Sequence, residues 1–110
     1  MNVINRQIFN AIRECQSKYP ILAITGPRQS GKTTLLKTLF PDYRYVSLEN
    51  PDNRDFALND PNGFLTEYDD QVIFDEVQQT PAIFSCLQTL VDSRPDRMGG
   101  FILSGSQTFT

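Results

Sequence analysis

The 110 residues contain no histidine. Every mechanism that needs an imidazole as base, nucleophile or metal ligand is therefore closed to them. Tryptophan is also absent, which leaves eight phenylalanines and four tyrosines for aromatic packing. There are only two cysteines, Cys15 and Cys86. They form no Cys-x-x-Cys pair, so a thiolate metal knuckle or a dithiol redox motif is excluded; both read as reduced thiols of a cytoplasmic protein. No surplus of basic charge exists either. Ten Lys and Arg stand against thirteen Asp and Glu, a net charge of −3, and this segment offers no broad cationic face for nucleic acid. Long apolar runs are missing, which argues against a membrane span. The opening "MNVINRQIFNAIREC" is polar and carries two arginines, unlike a secretory signal.

What is present describes a small globular domain. Hydrophobic residues make up 39% and charged residues 21%, a balance that supports one packed core over residues 1–110. A chain of this length buries roughly two-thirds of its unfolded surface. Ile4, Ile8, Ile12 and Cys15 recur at helical spacing and predict an N-terminal helix with one apolar face. Apolar or alternating runs predict strands near 21–25, 43–49, 71–76 and 101–106. Between the second and third lie two short helix signals, one of them the cap-then-proline pair Asp60-Pro61. Thr80-Pro81 repeats that pair before Ile83, Leu87 and Leu90, and predicts a helix opening there. Strands alternating with helices predict an α/β fold with a parallel sheet.

One stretch carries chemistry on its face. Gly26-Pro27-Arg28-Gln29-Ser30-Gly31-Lys32-Thr33 satisfies G-x-x-x-x-G-K-[ST] in full, between an apolar strand and a helix. The glycines let backbone N–H groups close around a phosphate where a side chain would clash. Lys32 reaches the β- and γ-phosphates, and the Thr33 hydroxyl serves a magnesium ion. The helix that starts there turns its positive end to the anion. A match by chance in a chain of this size has a frequency of about one in a few hundred. The nucleotide contacts predicted are thus Gly26, Pro27, Arg28, Gln29, Ser30, Gly31, Lys32, Thr33 and the adjoining Thr34, with Lys32 also acting in catalysis.

The acidic pair in "VIFDE" separates hydrolysis from phosphoryl transfer to a substrate hydroxyl. Asp75 closes an apolar strand, where a carboxylate can hold the magnesium shell with Thr33. Glu76 follows directly and can orient, and take a proton from, an attacking water. "FILSGSQ" puts Ser104 and Ser106 around Gly105 at the end of the last strand, on the rim where a parallel sheet binds ligands. Ser106 is predicted to reach the γ-phosphate, with Ser104 as its alternative; Gln78 and Gln107 are weaker candidates of the same kind.

Taken together, "ITGPRQSGKTTLL", "YVSLENPDNRDFALNDPNGFL", "VIFDEVQQTPAIFSCLQTLVD" and "FILSGSQ" resemble the AAA-type P-loop ATPase core of a prokaryotic two-domain family. In that family an ATPase domain precedes a C-terminal domain of unknown function. The resemblance covers residues 4 to 107. It implies a three-layer sandwich with strand order 5-1-4-3-2, ATP and Mg²⁺ as cofactors, Asp75 on the metal, Glu76 on the water and a strand-end serine as γ-phosphate sensor. It also implies an N-terminal portion of that domain, incomplete at the C-terminus, without strand five, an arginine finger or the second domain. A chain of that kind is expected to bind Mg·ATP with little or no turnover of its own, and to meet a second copy or the missing domain at its sheet edge.

Two other readings differ in kind. A GTPase would need a D-x-x-G switch after an apolar strand. The two copies here, Asp60–Gly63 and Asp96–Gly99, follow none, and no Asn-Lys-x-Asp motif occurs. A truncated product that binds nucleotide without independent catalysis shares every motif with an ATPase, and only a turnover assay separates the two.

Overall fold

The computed structural model describes residues 6–26 and 31–106, and side chains over 9–25 and 31–105. The order of elements is α1 (Arg6–Lys18), β1 (Ile21–Gly26), α2 (Lys32–Leu39), β2 (Arg44–Ser47), α3 (Pro51–Asn59), α4 (Pro61–Glu67), β3 (Val72–Asp75), a 3₁₀ turn (Val77–Gln79), α5 (Ile83–Asp92) and β4 (Phe101–Ser106). The four strands form one parallel sheet in the order β1-β4-β3-β2. This is the α/β fold expected, with β4 between the strands that carry the loop and the acids.

Alternation along the strands builds the layers. Val72 and Phe74 on β3, with Phe101 and Leu103 on β4, point to one face and pack against Ala57, Phe64 and Ile83 of α3, α4 and α5. Ile73 and Ile102, the residues between, point to the other face and meet Leu36 and Leu39 of α2. Ile12 of α1 joins that second cluster half-buried, as the helical spacing predicts; Ile4 and Ile8 lie outside the described side chains. The first cluster is rich in rings. Phe74 sits 5.3 Å from Phe64 and is stacked 6.1 Å from Phe101, separations at which aromatic pairs attract beyond their area burial.

The helix starts follow their caps, with one exception. Asn50 accepts from the backbone N–H groups of Asp52 and Asn53 ahead of α3, and Asp60 accepts from Gly63 ahead of α4. Pro51 and Pro61 occupy the first helical positions, where no N–H is missed. Thr80 does not cap α5. Its hydroxyl donates to the carbonyl of Val77 and serves the 3₁₀ turn, so the helix begins at Ile83 with Ala82 at the cap.

The middle strands are shorter than the sequence predicts. β3 is bounded by Gln71 and Glu76, both left-handed with φ of 50° and 58°, and a residue in that region ends an extended run. β2 pairs with β3 residue for residue, from Arg44 against Val72 to Ser47 against Asp75. It is therefore ordered over the same four positions rather than over 43–49.

Candidate functional site

All four strands end on one rim, and the predicted residues gather there. β1 delivers the chain at Gly26, whose backbone lies opposite Ser106 of β4. Pro27, Arg28, Gln29 and Ser30 lie outside the described residues, as do Gln107 and the Ser106 side chain. The chain returns at Gly31, with φ of 85°. Among the described residues no atom outside its chain neighbours lies within 4 Å of a Cβ built there, and the positive φ by itself favours glycine at this point. Gly31 caps α2 with no side-chain hydrogen bond. Lys32 and Thr33 form its first turn, where backbone N–H groups lack carbonyl partners within the helix and the dipole favours an anion. Thr34, one position on, is exposed.

Across the rim Asp75 is 5% exposed and fully engaged. Thr33 donates its hydroxyl to one carboxylate oxygen, Oδ2, at 2.8 Å. The phenol of Tyr45 donates to the same oxygen. Ser104 donates to the other oxygen, Oδ1, at 2.5 Å. Burial pushes the Asp75 carboxyl up, but the hydrogen bonds from Ser104, Tyr45 and Thr33 outweigh it and hold the group below the ordinary carboxylate value. Tyr45 responds in the opposite sense. Burial first, and then its bond to the Asp75 carboxylate, push the phenol up to about 12. The Lys37 ammonium rests 4.1 Å from the centre of the Tyr45 ring.

Glu76 follows directly, and its backbone N–H also donates a hydrogen bond to the Asp75 carboxylate. Its left-handed backbone (φ 58°, ψ 46°) ends the strand, and its carboxylate, 7% exposed at the residue, accepts from Nε2 of Gln78 at 2.6 Å. Gln78 lies over Gly105 on the α5 side of the sheet. It also forms part of the wall of an apolar cavity of about 350 Å³ with Leu103, Pro81 and Phe84. The two adjacent acids therefore differ in their side-chain partners: Thr33, Tyr45 and Ser104 for Asp75, and Gln78 among those of Glu76.

Thr33, Asp75 and Ser104 are thus brought into contact, with Lys32 beside Thr33 and Glu76 beside Asp75. Sequence reasoning missed Tyr45. Its only trace in the sequence is the period of "YRYVSLE", which puts Tyr45 and Ser47 on one face of their strand. The parallel register with β3, which turns that face into the Asp75 face, is a tertiary fact. Among the described residues no group of three His, Cys, Asp or Glu could hold a metal ion. Nor is any described helix long and apolar enough to cross a membrane.

Known proteins are similar to this chain. The uncharacterized protein Rv2008c of Mycobacterium tuberculosis is 33% identical over 109 residues, covering 96% of this chain and 24% of that protein. The uncharacterized protein Mb2031c of Mycobacterium bovis matches with the same identity and coverage. This chain thus spans about a quarter of the length of the curated relatives it matches. Among solved structures, PCH-2 of C. elegans aligns over 97% of this chain and 33% of its own, with 22% identity and a TM-score of 0.48. A family model described as an AAA domain matches residues 18–110, from the end of α1 through the last residue. With a loop of the phosphate-binding pattern at its head and a buried aspartate facing it, the chain belongs to the AAA domain family, whose general function is of the nucleotide-binding, ATPase type.

Proposed function

We propose that this chain binds Mg·ATP at the rim of its sheet and is the ATPase domain of a longer protein in which the nucleotide is hydrolysed. The observation that carries the reading is the Thr33–Asp75 hydrogen bond, which joins residues 42 apart in sequence at 2.8 Å. A loop threonine and a strand-end carboxylate in contact form the protein's half of a magnesium site. Magnesium favours six oxygen donors, keeps several waters and is usually held through one or two protein groups plus phosphates. Two hard oxygen side chains, with no group of three His, Cys, Asp or Glu among the described residues, fit that pattern and do not fit an all-protein cage. When bound, the ion neutralises phosphate charge.

The chain's own residues have distinct tasks in this reading. Lys32 and the first-turn N–H groups of α2 bind the β- and γ-phosphates, with Gly26, Pro27, Arg28, Gln29, Ser30, Gly31 and Thr34 forming the rest of the cradle. Glu76 orients a water and accepts its proton as the water oxygen bonds to the γ-phosphorus. The bond from that phosphorus to the bridging oxygen breaks, and ADP leaves with the electron pair. Ser106, or Ser104 through Asp75, senses the γ-phosphate. The free thiols of Cys15 and Cys86 support a cytoplasmic setting. The length of the relatives supports a further domain as the partner on which the ATPase acts.

Calorimetry with Mg·ATP tests the reading. The wild-type chain is expected to bind, and Lys32→Ala to lose on the order of tenfold or more in affinity, since a hydrogen bond to a charged group is worth roughly 1.5–3 kcal/mol. Equal affinity in the two proteins would overturn it.

A further inference from the structure

Gln78 is placed by two neighbours at once. Its Nε2 donates to the Glu76 carboxylate at 2.6 Å, the short separation of a charge-assisted bond. An ionised carboxylate only accepts, so this contact decides which end of the amide is nitrogen. The other end, Oε1, is buried and has no hydrogen-bond partner among the described residues. That oxygen lies over Gly105, where a Cβ would stand 2.7 Å from it. A glycine on a buried strand between Ser104 and Ser106 otherwise weakens the sheet. Here it makes room for the amide. Glu76, for its part, holds a left-handed backbone that is strained for any residue with a side chain. Strain at Glu76, a lone buried acceptor on Gln78 and a glycine shaped to that acceptor converge on one carboxylate.

We propose that Gln78, seated on Gly105, is the positioning residue for Glu76. Its amide holds the carboxylate in one orientation, while Asp75 is held by its own donors Thr33, Tyr45 and Ser104. The inference rests on the reading of Glu76 as the group that orients the attacking water. It adds the means by which a residue outside the strand, on a 3₁₀ turn, sets the aim of that group.

Side-chain amide NMR on the purified chain, without nucleotide, tests the seat. The Gln78 Nε2 signals are expected to be shifted and exchange-protected relative to exposed glutamines such as Gln88. They should move to the exposed position in Glu76→Ala and shift in Gly105→Ala, whose new Cβ displaces the amide. Signals at the exposed position in the wild type, or unmoved by Glu76→Ala, would overturn the seat. Single-turnover hydrolysis with Mg·ATP, in the longer protein that carries this domain, tests the consequence. Gln78→Ala and Gly105→Ala should each slow the chemical step about tenfold or more, part of the 10²–10⁴ that a general base supplies, with Mg·ATP affinity within about twofold of wild type. Unaltered turnover with a displaced amide would overturn the positioning role. Loss of affinity as large as the loss of rate would reassign Gln78 to binding. Failure of the wild-type chain to bind Mg·ATP would instead sink the nucleotide reading, while the NMR result still decided whether Gln78 holds Glu76.

Discussion

Tyr45 and Asp75, on adjacent strands, share one proton contact: the phenol donates to the same carboxylate oxygen that receives the Thr33 hydroxyl. Replacing Tyr45 with phenylalanine takes a donor from a buried anion, which costs about 1–3 kcal/mol when the acceptor stays dry. The pH dependence follows in sign. Asp75 titrates below its ordinary value in the folded chain, so its stabilisation is present above the unfolded carboxylate value and lost as pH falls through the folded one. Tyr45 is raised from 10.0 to about 12, so its share is present below pH 10 and lost as pH rises toward 12. Tyr45→Phe should therefore unfold at a higher pH on the acid side and lack part of the wild type's alkaline loss. Denaturant midpoints across pH, compared between the two proteins, check both arms.

The two acids are expected to divide their roles. Glu76→Gln should keep Mg·ATP affinity near wild type, because Lys32, Thr33 and Asp75 are untouched. Asp75→Asn should reduce the gain in ATP affinity on adding Mg²⁺. Calorimetry with and without Mg²⁺ reads this directly. A loss of binding in Glu76→Gln as severe as in Lys32→Ala would refute the division.

Phe74 is fully buried between Phe64 and Phe101. Phe74→Ala removes the centre of that stack and should destabilise the fold by about 3–5 kcal/mol, a large fraction of the roughly 5–15 kcal/mol that holds a domain together. Leu58, on the same layer but 43% exposed, is the control: Leu58→Ala should stay within about 0.5 kcal/mol. Chemical denaturation of both variants decides between a core set by this ring stack and one spread evenly over the layer.

β1 pairs with β4 on one side only among the described residues. An apolar edge without charge or proline within it invites pairing with another strand. The purified chain is expected to associate with concentration, and Ala23→Lys, which puts a charge at an exposed position of that edge strand, to reduce the association. Sedimentation over a wide concentration range would show it; a monomer throughout would mean the edge is protected.

What the sequence determined by itself was local. The loop from Gly26 to Thr33 is legible because each position has a job within a few residues: glycines at the turn, a lysine and a threonine on the first helical turn. The strand and helix order follows from apolar runs, and the Asp60-Pro61 start follows from a cap that bonds three residues away. The same logic misled at Thr80, whose hydroxyl found the Val77 carbonyl first. The acids could be read as a pair, but not the different side-chain partners each one finds. Only the tertiary structure decided who meets them. Tyr45, Ser104 and Thr33 reach Asp75 from three different elements because parallel strands in one register and a helix behind them bring those positions together. Gln78 meets Gly105 because the 3₁₀ turn folds back over a strand that lies 27 residues further along the chain. Contacts of that kind depend on the pairing of distant strands, and a one-residue slip in register would turn every one of these side chains to the opposite face.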